Sequence, residues 1–462
     1  MLKVRLGAAA LMLSVLALLC GCGVAARLAE QSADAAERVA SAGRTGRATT
    51  REMQWARTAW RYFENNTDPA TGLVGGMDRT PVFTIWNAGD TLAALVAARE
   101  LGVIDEREFD LRTSRLLGFL ANMDLSGGAL PHKAYNALTG KMVNFENRQD
   151  DIGWSAVDTG RLMLWLKITG QRHPRFREYT DKVVLRWAFC EVIDDCGKLT
   201  GASRSAGQTY RYQEGRLGYE QLAGAGFAAW GFDARISREF PATETVRIYG
   251  LPVRHDARDP RATGVPAPAL TMPHVLMGME LGWDDAGGAA RRQLAGELYQ
   301  VQEERWRREH QFTARTDYQM REAPYVVLDS VFAAGYPWNT IGSDGKEYEK
   351  LAIVSTRAAF GMWALWPGAY TDRLIESVQW LYDMDRGWYE GRLEAGGQPL
   401  ANITLATNAA VLETLLFKAK GPLYAREAVG GFFQAQTSDV FRRLNRCLPG
   451  ERPACQMPPP GR

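Results

Sequence analysis

Residues 154–170 read WSAVDTGRLMLWLKITG. Leu162, Leu164 and Trp165 form an apolar helix face, Asp158 sits at its start, and Gly170 ends it. The same design recurs along the chain. Residues 52–66 place Trp55, Ala59, Tyr62 and Phe63 on one face, and a turn follows at 68–72. Residues 85–102 end in Gly102, a helix C-cap. Further helical stretches read at 106–123, 175–192, 219–232, 289–310, 354–367, 372–384 and 404–419, giving about eleven helices in all. Polar, aromatic segments between them, such as 128–143 and 198–216, read as small hairpins. Connections alternate between short and long, which predicts an all-α toroid, an (α/α)6 barrel of helical hairpins. A solenoid would need a more regular repeat.

The 462 residues are 46% hydrophobic and 23% charged, with a net charge of +2. That is globular composition with length for a large core. Neither the charge nor any long basic run supports a nucleic-acid partner. The start, MLKVRLGAAALMLSVLALLCGCGVAA, has Lys3 and Arg5 before an apolar run, the pattern of a signal peptide. Leu19-Cys20-Gly21-Cys22 resembles a bacterial lipobox. Cys22, after the small Gly21, is the expected lipidation site, with Cys20 the alternative; an uncleaved membrane anchor is the other reading. The expectation is an exported protein, lipid-anchored to the cell envelope at an outer membrane and facing the periplasm. Four further cysteines fall in two close pairs, so local disulfides Cys190–Cys196 and Cys447–Cys455 are expected in an oxidising compartment. Their spacing does not fit a zinc site, and no cofactor or metal is expected. The domain plan is a signal peptide over 1–22, a flexible tether over 23–47, the barrel over 48–446 and a Pro-rich tail over 447–462.

No Gly-rich phosphate loop or serine elbow is present. Instead aromatics pair with carboxylates at helix starts: Trp86 with Asp90, Trp154 with Asp158, Tyr219 with Glu220, and Trp388 and Tyr389 with Glu390. Aromatic rings stack on the apolar faces of sugars, and carboxylates bind hydroxyls and move protons. The competing reading is capping, because acids favour helix N-termini. That reading weighs most at Asp90. Asp158 and Glu220 adjoin apolar faces and call for another reason. Asp329, flanked by apolar residues, is either a buried acid bonded to an arginine or a site acid; Trp338 and Asn339 precede a polar turn nearby. Glu394 reads as a hydroxyl or turn partner, and Asn408 as part of the same rim.

The blocks NAGDTLAALVAARELGVI, LPHKAYNALTGKMV, WSAVDTGRLMLWL, GYEQLAGAGFAAWG, APYVVLDSVFAAGYPWNTI, STRAAFGMWALW and RGWYEGRLE occur in order. Together they resemble the bacterial family called domain of unknown function 3131, over roughly residues 50–425. A more distant similarity is to glucoamylase-like domains, found in enzymes that cleave or rearrange β-glucans. Ser155, Val157, Asp158 and Thr159 fit their Ser-x-Ile-Asp-Thr helix start, and Glu220 takes the acid position of a later block. One departure is Gly153, which stands where those domains carry an acid; Asp150 and Asp151 lie just upstream. The resemblance implies the same (α/α)6 toroid. It also implies a glycoside hydrolase or transglycosylase acting on a bacterial glucan or exopolysaccharide, with Glu220 as general acid and Asp158 or Glu390 as base. The rival expectation is a non-catalytic polysaccharide-binding lipoprotein. Either way the expected partners are a saccharide and, through the lipid anchor, a membrane.

Overall fold

The computed structural model describes residues 43–258, 267–283, 287–426 and 446–456. The expected signal peptide with Cys20 and Cys22, most of the tether, and the tail from residue 457 lie outside the described residues.

Among the described residues twelve helices follow one another: α1 Thr50–Asn66, α2 Ile85–Leu101, α3 Glu106–Asn122, α4 Ala156–Arg172, α5 Arg177–Val184, α6 Tyr219–Ala229, α7 Arg235–Arg238, α8 Met272–Leu276, α9 Gly288–Glu309, α10 Thr356–Leu365, α11 Ala369–Val378 and α12 Leu405–Lys420. The even-numbered helices pack in the order α2, α4, α6, α8, α10, α12 and back to α2, a closed inner ring. Each odd-numbered helix packs outside its even-numbered neighbour. One hydrophobic core runs through both layers.

Inner helices leave by short links, such as 102–105 and 366–368, and are entered by long ones, such as 123–155 and 310–355. The long links carry short strands that pair with one another. Val82–Thr84 pairs with Ala134–Asn136, Ile353–Ser355 pairs with Gly387–Leu393, and Met77 bridges Thr404. These pairings form a collar at the end of the ring where every inner helix begins. The expected toroid with small hairpins in its links is thus met in part: the helical double ring is present, and the strands of different links join into small antiparallel sheets at one end.

The disulfides differ from the expected pairing. Cys190 joins Cys447 and Cys196 joins Cys455, with Cα separations of 5.1 and 4.8 Å. The segment 446–456 lies along the loop that follows α5, where Arg452 donates to the Phe189 and Ile193 carbonyls. The two segments run side by side, so each cysteine meets one across the gap. The start of the expected free tail is thus fastened to the body of the domain.

Candidate active site

Ser and Thr N-caps start four inner helices: Thr84, Ser155, Ser355 and Thr404. Two of them do a second job. Ser155 Oγ accepts from the Asp158 N–H at 3.0 Å and donates to Glu214 at 2.8 Å. Thr404 Oγ accepts from the Thr407 N–H at 3.3 Å and donates to Glu390, which also accepts from Thr407 Oγ at 3.0 Å. A hydroxyl can donate and accept at once, so one cap both starts a helix and fixes a carboxylate. α4 and α12 flank α2, so Glu214 and Glu390 are held on either side of the helix that opens at Trp86.

Trp86 is half-buried at the start of α2. Its ring lies 4.8 Å from the Arg161 guanidinium and meets the Tyr219 ring edge-on at 5.3 Å. Its backbone N–H bonds to the Asp158 carboxyl. Burial, and then the neighbouring Glu214 carboxylate, push Asp158 up to about 7, against its bonds to Ser155 and Trp86. Burial also raises Glu214, which the Ala156 N–H holds at 2.5 Å. Lys133 supplies positive charge to both acids.

Beyond Tyr219 lies a second group. The Tyr219 hydroxyl donates to Asp317 at 2.8 Å, and Asp317 pairs with Arg357 at 3.2 Å. Asp317 keeps a quarter of its side chain exposed, while Glu390 is 1% exposed. Burial raises Glu390, opposed by the charge of Arg357. Beneath the mouth, Arg161 is enclosed by Asp90 at 2.8 Å, Glu413 at 3.5 Å and Glu280. Burial, then Glu280, holds Glu413 well above the usual carboxylate range. Asp90 thus serves the buried charge cluster rather than the mouth.

Several expected site residues stand elsewhere. Glu220, 3% exposed, is paired with Arg258 at 2.9 Å and accepts from Gln213 at 3.1 Å. Asp329 and Glu394 share Arg315 at 2.9 and 2.7 Å, so of its two readings Asp329 takes the arginine-bonded one. Trp154 and Trp388 are not cleft stackers. Trp154 is 3% exposed and donates to the Thr200 carbonyl; Trp388 is fully buried against Phe360 and Tyr382 and donates to the Trp55 carbonyl. Asn408 is likewise buried and accepts from the Trp388 N–H, fixing the turn at Gly387. Trp338 packs on Tyr249 with Arg305 against its ring, and Asn339 donates to the Ala333 carbonyl. Tyr389 is half-buried against the core. The sequence reading missed Glu214, Asp317, Lys133, Arg161 and Arg357. Only Glu214 carried a visible signal, at the end of the aromatic segment TYRYQEG.

Over residues 54–421 the sequence matches the family model described as "Protein of unknown function (DUF3131)". The chain belongs to this family. No curated protein matches this DUF3131 chain. Among solved structures it is similar to a "putative glucoamylase" from Bacteroides caccae, with 15% identity, a TM-score of 0.58, and coverage of 81% of this chain and 94% of that one. It is also similar to an endo-β-1,2-glucanase from Chitinophaga pinensis in complex with sophorotriose and glucose, at 14% identity and TM-score 0.54, covering 81% and 94%. At these identities the likeness shows that the DUF3131 domain shares a glucoamylase-like fold.

Proposed function

We propose that this protein is a saccharide-active enzyme of the (α/α)6 type, hydrolysing or rearranging a β-glucan or related exopolysaccharide. The observation that carries the reading is the Asp158–Glu214 pair beside the half-buried Trp86. A carboxyl raised to about 7 still holds a proton near neutral pH, as a general acid must. In this reading Asp158 rather than Glu220 is the donor: burial raises Glu220 too, but Arg258 opposes that rise and holds its carboxylate at 2.9 Å. The opposing carboxylate has to be ionised and within reach of water. Asp317, paired with Arg357 at 3.2 Å and with a quarter of its side chain exposed, takes this place in the reading, whereas Glu390 is buried. Trp86 and Tyr219 stand between the two acids as the surface on which a sugar ring rests. The solved glucanase of similar fold, which holds sophorotriose, makes β-1,2-glucan the first substrate to try.

The test is release of reducing sugar from a β-glucan panel by the purified protein. Asp158→Asn and Asp317→Asn are each expected to lower kcat at least about 100-fold while the polymer is still bound. Full turnover in Asp158→Asn would remove it as donor. Binding of glucan without turnover by the unaltered protein would establish the non-catalytic polysaccharide-binding reading instead.

A further inference from the structure

The hairpin that ends at Glu214 presents the rings of Tyr210 and Tyr212 to solvent on one face. Thr200–Ser205 pairs with Gln208–Gln213, placing Gly201 opposite Tyr212 and Ser203 opposite Tyr210. Directly paired residues share a face, so Tyr210, Tyr212, Gly201 and Ser203 line one surface. Tyr210 is 58% and Tyr212 37% exposed. The absence of a side chain at Gly201 lets Glu214 close in on this face: a Cβ there would lie 2.4 Å from the Glu214 carboxylate and 3.0 Å from the Tyr212 ring. Lys133 Nζ stands 5.6 Å over the Tyr212 ring and 3.5 Å from Ser203 Oγ, and its charge also acts on Glu214 and Asp158. The face is therefore continuous with the acid pair. It carries aromatic rings two residues apart, about 7 Å along a strand, interleaved with hydroxyl groups.

We propose that this hairpin face is an extended saccharide-binding track, on which a polymer leaving the Asp158–Glu214 pair lays successive sugar rings over Tyr212 and Tyr210. The inference rests on the saccharide-active reading above and adds that the substrate is a chain of several units. Rings that stack on sugars, hydroxyl donors and one cation suit a neutral or weakly acidic glycan. A peptide partner would instead use the open strand edges.

Tyr210 is the clean probe, because it is exposed and, among the described residues, its hydroxyl bonds to the neighbouring Gln208. With β-1,2-glucan polymer and its trisaccharide as substrates, Tyr210→Ala is expected to raise KM for the polymer about tenfold. Turnover of the trisaccharide should be unchanged, and Tyr210→Phe should restore polymer KM. Equal effects on both substrates, or none on the polymer, overturn the track while leaving the enzyme reading intact. Failure of the unaltered protein to bind or cleave any glucan overturns both.

Discussion

Asp158 carries a clear pH signature. Its folded-state value of about 7 lies above the unfolded value of about 3.9. A group raised on folding contributes stability that is complete below its unfolded value and is lost as pH rises through the folded one. Asp158→Asn removes that dependence, so its melting temperature should gain on the unaltered protein as pH rises from about 4 to about 7. Parallel curves would show that Asp158 ionises normally. If Asp158 is the donor as proposed, activity should fall as pH passes upward through the Asp158 value. Glu214→Gln takes away a repelling charge and should move that alkaline limb to lower pH; an unmoved limb would break the pairing. The sequence made Asp158, Trp86 and Tyr219 legible because each begins a helix beside apolar residues. It hid Asp317, Arg161 and Arg357, because their meaning comes from partners on distant helices. Glu220 carried the same local signal as Asp158. What separates the two is Arg258, a residue 38 positions away in sequence.

At the scale of elements, α4 and α6 touch backbone to backbone. A Cβ on Gly226 would lie 1.9 Å from the Gly160 carbonyl oxygen, and one on Gly160 would lie 2.7 Å from Ala223 Cα. Neither obstacle is a movable side chain, so Gly226→Ala must push the helices apart. It should cost roughly 1–3 kcal/mol, read as a lower urea midpoint at unchanged slope. Gly118, exposed within α3, meets nothing within 4 Å. Gly118→Ala should stabilise by roughly 0.5–1 kcal/mol through helix propensity alone. The two substitutions look alike in sequence, and opposite signs would show that close packing, not propensity, places glycine between these helices. Helix periodicity was plain for the long helices, and the alternation of link lengths pointed to the ring. α8 escaped notice because it is five residues long, has Pro273 at its start, and runs into a π turn over Met277–Leu281. The stretch Gly387–Leu393 reads as a helix entry but forms a seven-residue strand, which pairs with Tyr382–Asp383, Ile353–Ser355 and Pro399–Ile403.

For the whole molecule, the disulfides link the chain's end to the root of the hairpin that bears Glu214, since Ile193 bridges Leu199 just before Thr200. Sequence spacing favoured local pairs; only the parallel run of two distant segments reveals the crossed ones. Their spans of 257 and 259 residues are almost the same, and this sets how they add. Either bridge alone closes a loop of that size in the unfolded chain, worth about 5 kcal/mol on the chain-entropy account. With one bridge in place, the second closes only the small ring through 190–196 and 447–455, worth about 3 kcal/mol. Cys196→Ser with Cys455→Ser should therefore cost on the order of 3 kcal/mol, and so should the Cys190 and Cys447 pair of substitutions. Removing all four should cost clearly more than twice that of either pair. Denaturant midpoints for the three variants decide the point. Simple additivity would mean that the unfolded chain does not treat the bridges as one shared loop, and that their effect lies instead in how the folded tail packs on the body.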